Sequence, residues 1–271
     1  MNDTLFWTPS GARLRCVHSH GDASCNWLFL PGGPGLGSES LAGLIDLLRL
    51  PGKLWAVDFP GDGSNISANF SDWQPALIEA VQALNQVILV AHSSGGMFAL
   101  ATPALEAHLS GLILMDSAPD ASWQQAFMQY VQTHPLPDLE RLQKNHLEKP
   151  SNHSLKALTL ACLPWFSTEK GQDSTLKLFQ SLPFNSQSHQ WAERHFDPIY
   201  QSKWVPEHIP TLIFAGAQDQ ITPLNLFQTA PAFQRDNIHI RTIPQAAHFP
   251  WIDNPAAVQA LFDDYCLRLG L

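Results

Sequence analysis

Three polar residues of this chain stand just past apolar runs that read as buried strands, and together their types could run acyl transfer. Ser93 follows Val87-Ile88-Leu89-Val90 and sits between small residues at Ala91 and Gly95. Asp219 follows Thr211-Leu212-Ile213-Phe214-Ala215-Gly216, and His248 follows the run from Ile238 to Ile243. A serine hydroxyl is a poor nucleophile at neutral pH. A histidine that takes its proton, itself held by an aspartate, activates it. A strand that stops at a serine and continues at once as a helix is the setting of a nucleophile elbow. The turn is so tight that the residues two before and two after the nucleophile must be tiny. Around Ser94 those positions are His92 and Gly96, and an imidazole does not fit there. Ser93 is therefore the candidate nucleophile, and Ser94 follows it with a backbone N–H suited to an oxyanion. Asp116, at the end of an earlier strand-like run, is the rival acid. Strand alternation is expected to turn His92 away from the nucleophile. His108, His134, His153 and His195 lack a strand-end setting.

The elements that must carry these residues read clearly. A hairpin is expected over residues 4–20, with its turn at Pro9-Ser10-Gly11. Strand-like runs follow at 27–31, 53–58, 87–92, 111–116, 211–216 and 238–243. Helix-like stretches lie between them near 38–49, 72–85 and 95–108. Asp72 precedes the second as a candidate N-cap, and Asn254-Pro255 opens a last helix in the same way. Apolar strands alternating with helices predict an α/β fold with a mainly parallel sheet covered on both faces. Ligands then bind at the C-terminal ends of the strands, the edge where Gly33, Ser93, Asp219 and His248 fall.

The strand rhythm fails between Asp116 and Thr211. Helical patterns there, near 121–133, 137–148, 153–163, 172–181 and 186–196, are punctuated by prolines. This stretch is rich in aromatics. Most are expected to pack it onto the sheet, and Trp165, Phe166 and Trp191 are expected to line an apolar substrate pocket over Ser93.

The 271 residues carry a formal charge of −9, with 15 Lys and Arg and no basic run. That balance speaks against nucleic acid or an anionic membrane as partner. The opening Met1-Asn2-Asp3-Thr4-Leu5-Phe6-Trp7 has no basic start followed by an apolar stretch, so no signal peptide is expected. Cys16, Cys25, Cys162 and Cys266 are expected to be reduced thiols of a cytoplasmic protein, with a Cys16–Cys25 bridge left open. The 12 histidines show no finger-like spacing, so no metal is expected.

The chain order Ser93, Asp219, His248 is that of the α/β-hydrolases, and the sequence resembles this superfamily from the strand near Arg13 to the last helix. Pro31-Gly32-Gly33-Pro34-Gly35 is similar to the His-Gly-Gly-Pro-Gly loop of the proline iminopeptidase group. Asp58-Phe59-Pro60-Gly61-Asp62-Gly63-Ser64 resembles the Asp-x-Pro-Gly-x-Gly-x-Ser loop of many members. His248-Phe249-Pro250-Trp251 with Asn254-Pro255 resembles the surroundings of their catalytic histidine. Pro31 stands where the family usually has histidine, and Ala91 where it usually has glycine. The resemblance implies a central sheet flanked by helices and a helical cap inserted after the sixth strand. It divides the chain into a core at 1–118 and 208–271 and a cap at 119–207. It also implies an oxyanion hole built from the N–H groups of Gly33 and Ser94, and hydrolysis through an acyl-enzyme without cofactor or metal.

The substrate is expected to be a small molecule, first of all a small or medium apolar carboxylic ester. The glycine–proline loop also suits a proline iminopeptidase-like aminopeptidase, whose relatives hold the substrate amine with cap carboxylates. Glu140, Glu148, Glu169, Glu193 and Asp197 are the candidates for that role. Against this, Ser94 stands where proline iminopeptidases have tryptophan. A carbon–carbon bond hydrolase would need a basic cap residue, for which Arg194 is available. A non-catalytic receptor on the same scaffold is the alternative of a different class. The oligomeric state is not legible.

Overall fold

The computed structural model describes residues 4–21 and 24–271. Met1–Asp3, part of the segment read for a signal peptide, lie outside the described residues. Eight strands form one sheet: β1 (Leu5–Trp7), β2 (Arg13–His20), β3 (Asn26–Leu30), β4 (Gly52–Asp58), β5 (Val87–His92), β6 (Leu109–Met115), β7 (Thr211–Gly216) and β8 (Ile238–Ile243). Their spatial order is β1-β2-β4-β3-β5-β6-β7-β8. The β1–β2 and β2–β4 pairs are antiparallel and the others parallel. Every residue of β3, β5 and β7 is buried, because helices cover both faces; this is why these strands read as unbroken apolar runs rather than alternating ones.

Helices α1 (Ala42–Leu47), α2 (Trp73–Gln82) and α3 (Ser94–Leu100) cross between the early strands. Helix α3 is shorter than the 95–108 pattern suggests. Thr102 leaves helical geometry ahead of Pro103, whose ring disfavours the α region for its predecessor, and a 3₁₀ turn over Pro103–Ala107 completes the connection. Asp72 stands at the N-terminus of α2, but its side chain caps nothing. Between β6 and β7 lie α4 (Ser122–Thr133), α5 (Leu139–Glu148), α6 (Asn152–Ala161), α7 (Leu163–Phe166), α8 (Gln172–Ser181) and α9 (Ser186–His195). Helices α10 (Asn225–Gln228), α11 (Pro250–Asp253) and α12 (Pro255–Leu269) complete the chain. Asn254 caps α12 through Ala257 N. Tyr265 pins that helix to the sheet, its hydroxyl donating to Pro210 O at 2.8 Å and accepting from Leu112 N at 3.0 Å.

Two apolar layers, one on each face, make the core. Leu28, Leu30, Leu89 and Ala91 face α2 and α3, while Trp27, Phe29, Ile88 and Val90 face α1 and α12. All four cysteines are free; Cys16 on β2 pairs across to Trp55 on β4, so β4 separates it from Cys25 just before β3. No helix among the described residues is long and apolar enough to cross a membrane.

Candidate active site

The C-terminal ends of β5, β7 and β8 bring Ser93, Asp219 and His248 into one hydrogen-bonded chain. His248 Nε2 lies 3.0 Å from Ser93 Oγ, and His248 Nδ1 lies 3.0 Å from Asp219 Oδ2. Ser93 sits at φ 53° and ψ −127°, a left-handed conformation that costs on the order of 1–3 kcal/mol for a non-glycine residue. The cost lifts the hydroxyl off the strand end. The elbow is held by Ser93 N donating to Met115 O of β6 at 2.8 Å. Its tightness also fixes Gly95, where an added Cβ would stand 2.5 Å from Pro31 O and 2.8 Å from Leu30 O.

Asp219 is buried and well supplied with donors. Ile221 N and Thr222 N reach Oδ1, and Thr222 Oγ1 donates to Oδ2 at 2.9 Å. Burial by itself would raise this carboxyl. The His248 ring beside it and these hydrogen bonds outweigh burial and hold it below the ordinary aspartate value. Asp116 ends β6 on the neighbouring strand. Its Oδ1 accepts from Gly216 N, no donor among the described residues reaches its Oδ2, and burial followed by the Asp219 charge pushes it well above the usual range. Asp116, Asp219 and His248 also form a group whose donor atoms lie within 4.8 Å of one another. Within it Asp219 Oδ2 is already engaged by both His248 and Thr222. Asp58, by contrast, is tied into Arg13 and Ser38 N and stays away from the serine.

His92 makes no hydrogen bond to Ser93 Oγ, whose partner is His248 Nε2. It borders the cavity, and its Nε2 lies 2.9 Å from the backbone oxygen of His248. A carbonyl only accepts, so Nε2 carries the proton. Burial, with the His248 ring close by, lowers its pKa to about 3 and leaves it neutral, a tether between the elbow and the histidine loop. Two more ties were invisible in the sequence. Asp253 accepts from Ala247 N at 2.8 Å and from Thr168 Oγ1 at 2.6 Å, and His248 N donates to Phe166 O at 3.1 Å. These join the histidine loop to the helices inserted after β6. Thr222, three residues past Asp219, did carry a signal, since short polar side chains that close a turn on themselves favour such spacing.

Above Ser93 lies a cavity of about 400 Å³. Its walls are mostly apolar: Met97, Trp123, Phe127, Met128, Leu155 and Phe166, with Gly33 and Ser94 at the floor. Phe166 lies where the sequence placed it, but Trp165 and Trp191 do not. Trp165 packs edge-on behind Phe127 at 5.4 Å and donates Nε1 to His134 O. Trp191 packs on Phe70 at 5.5 Å. Helix rotation explains the second displacement: His189, Ala192 and Glu193 share the cavity-facing side of α9, and Trp191 is two residues round from His189. Of the five carboxylates considered for amine binding, Glu193 and Asp197 border the cavity. Burial, then Glu193, raises Asp197 to about 6. Arg194 points to Gln190 and is not part of the wall.

Solved structures with this architecture include a proline iminopeptidase-related protein from Thermus thermophilus, at 21% identity over 99% of both chains with a TM-score of 0.74. An esterase from Exiguobacterium antarcticum matches at 18% identity over 97% of this chain and 98% of its own, with a TM-score of 0.69. A thermophilic esterase from Thermogutta terrifontis matches at 18% identity over 98% and 97%, with a TM-score of 0.65. At these identities the likeness establishes the fold. No curated protein matches the sequence. A sequence model of the alpha/beta hydrolase family matches residues 20–261, and the chain belongs to that family.

Proposed function

We propose that this protein is a serine hydrolase that cleaves a small or medium apolar carboxylic ester through an acyl-enzyme. The observation that carries this reading is the unbroken Ser93–His248–Asp219 hydrogen-bond chain at the floor of an apolar cavity. Ser93 Oγ attacks the ester carbonyl carbon as its proton passes to His248 Nε2, and the π pair moves onto the carbonyl oxygen. Asp219 stabilises the imidazolium and fixes Nδ1 as the protonated nitrogen. Collapse of the adduct breaks the bond to the leaving alkoxide, which takes the proton from His248. Water then repeats the sequence on the acyl-enzyme and restores Ser93. No step asks for a metal or cofactor. In this reading the helices from α4 to α9 form the cap, spanning 119–207, and the cavity size sets the acyl group.

A second reading, an aminopeptidase, is favoured by Glu193 and Asp197 on the cavity wall, where two carboxylates can receive a protonated amine. One experiment separates the two. Hydrolysis of p-nitrophenyl esters of graded acyl length is compared with that of Pro-, Ala- and Leu-p-nitroanilides, with Ser93→Ala as blank. Turnover confined to esters is the expected result, and its optimum chain length sizes the pocket. Efficient anilide cleavage transfers the assignment to the aminopeptidase. No Ser93-dependent turnover of either overturns the ester reading in favour of a specialised substrate or a ligand receptor.

A further inference from the structure

The two backbone donors expected of the oxyanion hole are not equivalent. Gly33 N donates to the side-chain oxygen of Ser94 at 2.7 Å, so that N–H is not aimed at open space. Nor is it free to swing elsewhere. Gly33 is held at φ +54° by Leu36 N donating to its oxygen, and an added Cβ would meet Leu36 at 2.9 Å. Two residues on, Gly35 N is fixed by Asp62 Oδ1, and Gly35 O accepts from Asn185 N at 2.8 Å. The loop therefore presents its N–H to Ser94 Oγ as part of a rigid frame.

A hydroxyl offers two acceptor lone pairs and one donor. Ser94 uses one lone pair on Gly33, and its own proton meets no protein acceptor among the described residues. The residue is buried and borders the cavity beside Ser93. An N–H bond into Oγ polarises the O–H and makes it a stronger donor. We infer that the Ser94 hydroxyl is a catalytic group, donating its proton as a hydrogen bond to the developing oxyanion alongside the Ser94 backbone N–H, with Gly33 N–H acting through it. Gly33 is then a positioning residue for the donor rather than a direct contact of the oxyanion. The inference rests on the serine-hydrolase reading above.

The rate at which an alkyl fluorophosphonate labels Ser93 reads this seat without knowledge of the natural substrate, because the phosphoryl oxygen takes the oxyanion position. Ser94→Ala removes the donor, and Ser94→Cys keeps a side chain of similar size with a weak one. Both are expected to slow labelling by about 10²-fold, the usual loss for one oxyanion donor, and to lower kcat on the best p-nitrophenyl ester in parallel with little change in KM. Thermal unfolding within a few degrees of the wild type certifies the fold, and the Cys variant repeats the test in a packed site. Labelling unchanged in both variants overturns the inference. Faster labelling in Ser94→Ala also overturns it, since it makes the hydroxyl a plug that occupies the Gly33 donor. Wild-type protein that neither takes the label nor turns over ester removes the serine-hydrolase reading itself, and this one with it.

Discussion

Asp219 and Asp116 stand at the ends of neighbouring parallel strands, both buried, and are driven to opposite protonation states. Burial disfavours the charge of each. Asp219 keeps its charge because the His248 ring and the donors from Ile221 and Thr222 surround it. Asp116 has one backbone N–H, from Gly216, and a second oxygen that no donor among the described residues reaches. Each carboxylate also penalises the other, so the better-supplied one ionises and the other keeps its proton. The supply of donors, not depth or strand position, separates the acid that can orient a histidine from the one that cannot.

The largest test of that contrast is Asp219→Asn. An amide offers His248 the wrong partner and carries no charge for the imidazolium, so kcat is expected to fall by about 10⁴-fold with the fold retained. Steady-state ester hydrolysis measures it, with thermal unfolding as the check on structure. A larger loss from Asp116→Asn than from Asp219→Asn would reverse the assignment of the acid. A smaller effect is expected from Thr222→Val, which keeps the shape but deletes the 2.9 Å bond to Asp219 Oδ2. Losing a hydrogen bond to a charged group costs about 1.5–3 kcal/mol, so kcat should drop by about 10- to 100-fold at nearly constant KM. Unchanged kcat would show that backbone donors alone suffice to hold the charge.

The fold, and the convergence of Ser93, His248 and Asp219 at the strand ends, were legible in the sequence because each depends on local constraints. Strands β3, β5 and β7 are buried on both faces, which forces unbroken apolar runs. The elbow requires a tiny residue at Gly95, where the Pro31 and Leu30 carbonyls close in. What the sequence did not carry depends on how distant segments face one another. Trp165, Phe166 and Trp191 look alike as a set of aromatics, and the rotation of α7 and α9 decides which of them sees the cavity. The occupied N–H of Gly33 arises between loops 61 residues apart. The His92 tether spans 156 residues, a pairing that strand alternation alone does not reveal. The Asp253 ties to Thr168 and Ala247 likewise form only where α11 meets the segment after α7.

The smallest effect on catalysis, and the sharpest check on protonation, is expected from Asp116→Asn. If Asp116 carries its proton in the folded protein, an amide of the same shape replaces it with little loss, and kcat should stay within about threefold. Stability should change instead. The folded-state pKa of this acid lies above its unfolded value of 3.8, so below that pH both states bind the proton and Asp116 contributes nothing to the pH dependence. As pH rises past 3.8, the unfolded chain releases the proton while the folded protein keeps it, and the fold loses about 1.4 kcal/mol per pH unit until the folded group titrates. Asparagine cannot titrate and removes that slope. The variant's Tm should therefore match the wild type near pH 4 and lead it by a margin that widens as pH rises, until the folded group titrates. A lead that is constant with pH, or a deficit at pH 7, would mean that Asp116 is charged in the folded state and that the two aspartates are not the opposites their surroundings make them.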